Sequence, residues 1–158
     1  IPLMREQRHG HIINISAAAA VGNYPGFAVY GAGKAGLEAA SEAVAGECAP
    51  FGIKVTVVIP GPFRTDFIAR SMDVAPRLPE YASTVGKFES FLMRINGKQP
   101  GDPVKAAVAI YQIAGAEQSP FRLVLGRYAT DKFAKRLKAQ GAELETWKSV
   151  GGLTDFSN

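Results

Sequence analysis

Tyr30 and Lys34 stand four residues apart in the run PGFAVYGAGKAGLEAASEAVAGECAPFG, which begins at Pro25. On a helix that spacing puts both side chains on one face, one above the other. A phenol titrates near ~10 and is a poor acid or base at neutral pH, but an ammonium within ~4 to 6 Å favours the phenolate and lowers that value. Such a pair can pass a proton to or from an alcohol oxygen. The pattern is short enough to arise by chance. Glu38, four residues beyond Lys34, also offers the lysine an ordinary exposed ion pair worth ~0.3 to 0.5 kcal/mol.

The elements that must position this pair alternate between strand and helix, which argues for an α/β fold with a parallel sheet. His11 to Ser16 (HIINIS) follows the Gly10 break with little alternation, as expected of a strand covered on both faces. The alanine-rich run predicts a helix from Ala28 to Ala49. Its glycines at 31, 33, 36 and 46 cost up to ~1 kcal/mol each relative to alanine, so close approach of a backbone or a ligand is expected there. Ile53 to Ile59 (IKVTVVI) reads as a second strand and Phe121 to Leu125 as a short third. Asp102 and Pro103 open a helix as N-cap and first helical residue, running to about Ala116. The tail reads as a helix over Thr130 to Gln140 with a second over Ala142 to Ser149. Residues 66–100 have no clean period, and a segment this long reads as a lid or binding loop.

Composition narrows the function classes. The chain has 158 residues, 47% hydrophobic and 20% charged, which fits one soluble domain over 1–158. No apolar run approaches the ~18 to 20 residues of a membrane helix, and no signal peptide is evident. A net charge of +4, dispersed along the chain, is weak evidence for nucleic acid, so neither nucleic acid nor membrane is expected as a partner. Cys48, the single cysteine, excludes an internal disulfide, makes the cytoplasm the default compartment and reads as a small buried thiol. His9 and His11 lack the third ligand of a zinc site and read as solvated, and no metal is expected. Lys132, Lys135, Arg136 and Lys138 read as a solvated basic face with Phe133 and Leu137 turned inward, and Trp147 as the anchor of the tail.

Asn14-Ile15-Ser16 closing a buried strand, then Pro25-Gly26, Tyr30 and Lys34, then Pro60-Gly61 after the next strand with Thr65 four residues on, resembles the short-chain dehydrogenase/reductase family. The family pattern is Asn-x-Ser-Ser, Tyr-x-x-x-Lys and Pro-Gly-x-x-x-Thr, in that order on those elements. The resemblance implies a Rossmann-type doubly wound parallel sheet, here incomplete, with the last three strands and their flanking helices. It implies an NAD- or NADP-dependent oxidoreductase interconverting a carbonyl and an alcohol. Tyr30 would exchange the proton with the substrate oxygen. Lys34 would lower the Tyr30 pKa and hydrogen-bond the nicotinamide ribose. Thr65 and the backbone from Pro60 and Gly61 to Phe63 would hold the carboxamide, and residues 66–100 would form the substrate loop. A homodimer or homotetramer is implied, packed through the small residues Ala32, Ala35, Gly36, Ala39, Ala40 and Ala43 of the long helix.

Two departures qualify that expectation. The family's substrate-orienting serine, 13 residues before the tyrosine, is Ala17 here. A methyl donates no hydrogen bond, and losing one preorganised donor typically costs about 10² to 10³ in rate. Ser16 is adjacent, yet consecutive strand residues point to opposite faces, so its hydroxyl is expected to face away and be satisfied by nearby backbone. The alanine then means a weakened site, a residue introduced to trap a complex, or lost activity. The alternative function is accordingly a truncated or degenerate member without catalysis, kept for binding or assembly. The second departure is that no glycine-rich strand-to-helix turn for a pyrophosphate occurs. With three strands only, HIINIS would lie at a sheet edge. The expected explanations are the C-terminal half of a longer protein, a partial gene product, or a piece completed by oligomerisation, and Ile1 to His9 reads as the end of a helix.

Overall fold

The computed structural model describes residues 1–156. Three parallel strands, β1 (Gly10–Ile15), β2 (Ile53–Pro60) and β3 (Arg122–Leu125), form one sheet in the order β1-β2-β3. β2 is central, and its Val57, Val58 and Ile59 are almost wholly buried, as an unbroken β-branched run requires. β1 is only half-buried along its length and lies at the sheet edge, as the three-strand count anticipated.

Among the described residues six α-helices accompany the sheet: α1 (Pro2–Gln7), α2 (Ala18–Val21), α3 (Ala28–Cys48), α4 (Lys87–Ile95), α5 (Pro103–Ala114) and α6 (Arg127–Gly152). α3 packs on β2 and ties itself to β1 and the residue after it through polar contacts: Asn14 donates to Ser41, and Ser16 to Glu38. Asp102 caps α5, its carboxylate accepting from the N–H groups of Val104 and Lys105 at 2.9 and 3.3 Å. Cys48 is buried at the end of α3, as expected.

Of the four glycines in α3, Gly31 alone shows the expected close approach: a Cβ there would collide with the Asn23 side chain, whereas Gly33, Gly36 and Gly46 face open space. The two tail helices are in fact one, α6, which passes through Gly141 without a break. A lone glycine costs only ~1 kcal/mol, too little to end a helix that has no proline or capping stop beside it. Trp147 is 63% exposed and Leu137 56%, so neither packs inward as expected, because nothing among the described residues lies against that half of α6. Phe133 is half-buried. Lys132 is not solvated, since its amine is buried. His11 is not solvated either, for its Nε2 lies 2.9 Å from the Thr56 hydroxyl. Residues 66–100 contain α4 and short turns at Phe67–Ser71, Pro79–Tyr81 and Ala82–Gly86, fastened by buried Ile68 and Leu92.

Candidate active site

Because the strands are parallel, β1 and β2 end at the same edge of the sheet, where open α/β sheets bind their ligands. Tyr30 lies in the first turn of α3 and Lys34 in the next, beside that edge. The Lys34 ammonium donates to the carbonyl of Ile15, the last residue of β1, at 2.8 Å, and stands 5.9 Å from the centre of the Tyr30 ring. The expected Lys34–Glu38 ion pair does not form. Glu38 instead accepts from the Ser16 hydroxyl at 2.7 Å and pairs with Arg122 of β3 at 3.4 Å, spanning the sheet across β2.

Tyr30 is half-buried between Phe27, 5.2 Å away between ring centres, and Phe67 at 5.6 Å. Burial pushes its phenol above the ordinary tyrosine value, opposite to the lowering expected from Lys34. The cause is enclosure by apolar rings, which disfavours the phenolate, while the ammonium donates to a backbone carbonyl and not to the phenol. A phenol so placed is held in its protonated form at neutral pH and is suited to donate.

β1 has ended before Ser16, and its hydroxyl does face away, into the interior, where the residue is 2% exposed. Its partner is the Glu38 carboxylate and not the neighbouring backbone. Ala17 follows as the extended, buried N-cap of α2, with no side-chain cap. No hydroxyl therefore replaces the missing donor from this stretch.

Beyond β2 the chain from Pro60 to Thr65 is knitted to residues 99–101. The Gly61 N–H donates to the Leu125 carbonyl at 3.0 Å, so it is not free for a ligand. Gly101 donates to Pro62 and accepts from Arg64, a parallel bridge centred on Phe63. Alternation along such a bridge turns the backbone groups of Phe63 itself the other way, and they make no backbone hydrogen bond among the described residues. Gly101 must lack a side chain, since a Cβ there would come within 2.6 Å of the Phe63 ring. Thr65 is exposed, its hydroxyl weakly accepting from the Phe67 N–H at 3.4 Å.

These groups fit the nicotinamide end of a dinucleotide. Lys34 carries three donors and uses one on Ile15, while the peptide groups of Phe63 and the Thr65 hydroxyl lie in the loop that follows β2. A glycine-rich turn for the pyrophosphate is not found in the sequence.

A cleft of about 940 Å³ opens beside Tyr30, lined by Phe27, Phe67, Leu78, Phe88 and Phe91 among others. The lining is predominantly apolar. Arg77, near its rim, is held by both carboxylate oxygens of Glu89. Sequence reasoning missed three residues that shape this region. Asn23 packs against Gly31 and donates to the Phe27 carbonyl, setting the α2–α3 turn. Tyr24 stacks on Phe88, and Lys132 lies over Tyr24. The Asn-Tyr-Pro-Gly turn sequence was the available signal for the first two.

A family model described as short chain dehydrogenase matches residues 1–74, which include Tyr30, Lys34 and the loop after β2. Among curated proteins, oxidoreductase BOA17 of Botryotinia fuckeliana is 33% identical over 150 residues, covering 95% of this chain and 55% of that protein. A 3-ketodihydrosphingosine reductase of Bacteroides thetaiotaomicron is 36% identical over 142 residues, covering 85% and 51%. The crystal structure of a short-chain dehydrogenase from Streptomyces avermitilis superposes with a TM-score of 0.87 at 41% identity, covering 98% of this chain and 56% of that one. The chain thus spans about half the length of these relatives. With the likeness running from α1 through α6, the chain belongs to the short-chain dehydrogenase/reductase family.

Proposed function

We propose that this chain carries the proton-transfer and substrate side of an NAD- or NADP-dependent oxidoreductase working chiefly as a carbonyl reductase, with residues 66–100 as its substrate loop. The observation that carries this reading is the placement of Tyr30. Its phenol opens onto an apolar cleft, kept protonated by burial, beside an ammonium anchored at the strand edge. A nicotinamide cofactor, when bound, supplies or accepts the hydride. Tyr30 would donate its proton to the carbonyl oxygen as that oxygen gains charge, and recover it from solvent afterwards. Lys34 would hydrogen-bond the nicotinamide ribose with its unspent donors and fix the first turns of α3 to β1. Phe63 backbone and Thr65 would hold the carboxamide, and Pro60 and Gly61 would shape the turn that presents them.

The apolar lining favours a ketone or aldehyde with a bulky apolar body, in keeping with a relative whose name is that of a ketone reductase. Ala17 supports a second reading, a member of the family that binds without catalysing, since an oxyanion donor is missing. The small residues of α3 at 32, 35, 36, 39, 40 and 43 are exposed and suit a helix-to-helix interface in a dimer or tetramer. A cytoplasmic setting agrees with the free, buried Cys48.

The test is to follow oxidation of NADH and NADPH by the protein with a panel of apolar ketones, beside a fluorescence titration of each cofactor. Reduction that falls by about 10² to 10⁴ in Tyr30→Phe, with cofactor affinity kept, supports the enzyme. Cofactor binding without turnover supports the second reading, and neither binding nor turnover overturns both.

A further inference from the structure

Tyr128 and Lys132 repeat on α6 the spacing of Tyr30 and Lys34 on α3, and the proposed chemistry uses neither. The Lys132 amine is buried without a hydrogen-bond partner among the described residues and lies 3.4 Å from the centre of the Tyr24 ring. Gly22 makes room for it, since a Cβ there would come within 3.0 Å of Lys132 Cε. The Tyr128 hydroxyl shares a hydrogen bond with that of Tyr24. Phe88 of α4 lies parallel to the same Tyr24 ring, with 8° between planes and 4.7 Å between centres. An ammonium and a parallel ring at these distances would overlap on one face, so Tyr24 is sandwiched between α6 and α4. Phe88 also meets Phe27 edge-on at 5.0 Å, and Phe27 in turn meets Tyr30. Contacts therefore run unbroken from the C-terminal helix to the cleft wall and to the catalytic phenol.

Stability alone does not account for this arrangement. An enclosed ammonium with no hydrogen bond is costly, and burial pushes Lys132 down to about 8. A methionine would fill the same space without that cost. What the charge adds is direction, since the face of a ring attracts a cation and holds it over the centre.

We propose that Tyr128 and Lys132 are positioning residues that clamp Tyr24, the ring on which Phe88 rests, and so hold α4 closed over an apolar substrate. The substrate half of this statement rests on the carbonyl-reductase reading, so the first measurement avoids activity. Amide hydrogen exchange is compared in wild type, Lys132→Met, Lys132→Arg and Tyr128→Phe. Exchange across residues 87–95 is expected to quicken about fivefold in Lys132→Met and about twofold in Tyr128→Phe, with Lys132→Arg near wild type. The melting temperature of Lys132→Met should hold or rise, and exchange in β2 should not quicken. Unchanged exchange at 87–95, or equal quickening in β2, overturns the clamp. If Lys132→Met does not fold, Tyr128→Phe decides by the same criterion. With an active ketone, Lys132→Met should raise KM about fivefold and leave kcat within about twofold, and a fall in kcat at constant KM overturns the positioning role. Absence of any ketone reduction in wild type defeats the functional reading and leaves the exchange result to judge the clamp.

Discussion

Two tyrosine–lysine pairs with identical spacing occupy the two long helices of this chain, and their surroundings give them different work. On α3, Lys34 reaches past its tyrosine to the end of β1, and Tyr30 is left facing an open cleft. On α6, Tyr128 and Lys132 both turn to one neighbouring ring, Tyr24, and the amine ends up enclosed. Spacing on a helix decides only that two side chains share a face. What the pair can do is decided by what lies opposite that face: the carboxyl edge of a parallel sheet and a cleft in one case, an aromatic turn in the other.

The contrast is broken most directly by removing each phenol oxygen in turn. Tyr30→Phe should lower carbonyl reduction by about 10² to 10⁴, the usual worth of a positioned proton donor. Tyr128→Phe should leave kcat within about twofold, because its oxygen touches no reacting group and affects only how firmly the Tyr24 turn is held. Comparable losses of kcat in both variants would erase the distinction between the two pairs.

Next in size is Ala17→Ser. On the proposed reading, a hydroxyl at this position would supply an oxyanion donor and should raise the reduction rate by about 10². The same residue is the uncapped N-cap of α2, where a serine oxygen can instead accept from the helix N–H groups and stabilise by ~1 kcal/mol. Rate and melting temperature separate the two uses. A faster enzyme at unchanged stability means a donor, while a more stable enzyme at unchanged rate means a cap and leaves Tyr30 as the sole group on the oxygen.

The difference between the pairs also explains which features could be read before the structure. β2 and its neighbours follow from unbroken β-branched runs, α3 from alanine content bounded by Pro50 and Gly52, and α5 from Asp102-Pro103, because each signal is local. The Tyr30–Lys34 pair was found through its order relative to Ser16 and Pro60-Gly61. Apart from the division of the tail into two helices and the missed α4, the wrong expectations concern what lies opposite a side chain. The sequence places Lys132 in solvent, makes Trp147 the anchor of the tail and puts the Tyr30 phenol under the influence of Lys34. Each depends on how segments distant in sequence meet: Tyr24 with α6 across more than a hundred residues, the end of α6 with no neighbour among the described residues, and Phe67 closing on Tyr30. Periodicity carries no information about such pairings. The missed helix α4 is a different case, since Phe88, Phe91, Leu92 and Ile95 fall at helical spacing and that signal was local.

The pH dependence sharpens the reading of Tyr30. Its folded-state pKa lies above the ordinary tyrosine value of ~10 because burial disfavours the phenolate. Reduction needs the protonated phenol, so its rate should stay level through neutral pH and fall only above pH ~10. Alcohol oxidation needs the phenolate and should climb about tenfold per unit over the same range. The stability linkage has the same sign. Below pH ~10 the folded and unfolded states both hold the proton and nothing changes, whereas above it the unfolded phenol ionises first and stability declines. A reduction rate that already falls between pH 7 and 9 would mean that Lys34 governs Tyr30 after all.

The smallest effect concerns the network behind the pair. Ser16, Glu38 and Arg122 join the end of β1 to α3 and β3, and none of them reaches the cleft. Ser16→Ala removes one hydrogen bond to a carboxylate, which retains Arg122 as a partner, so the loss should be ~1.5 kcal/mol in denaturant unfolding. Lys34 still ties α3 to Ile15 in that variant, so the position of Tyr30 does not depend on the serine. The reduction rate should therefore stay within about twofold of wild type. A larger fall in rate at unchanged stability would place Ser16 among the groups that act on substrate, and would make its hydroxyl the donor that Ala17 cannot be.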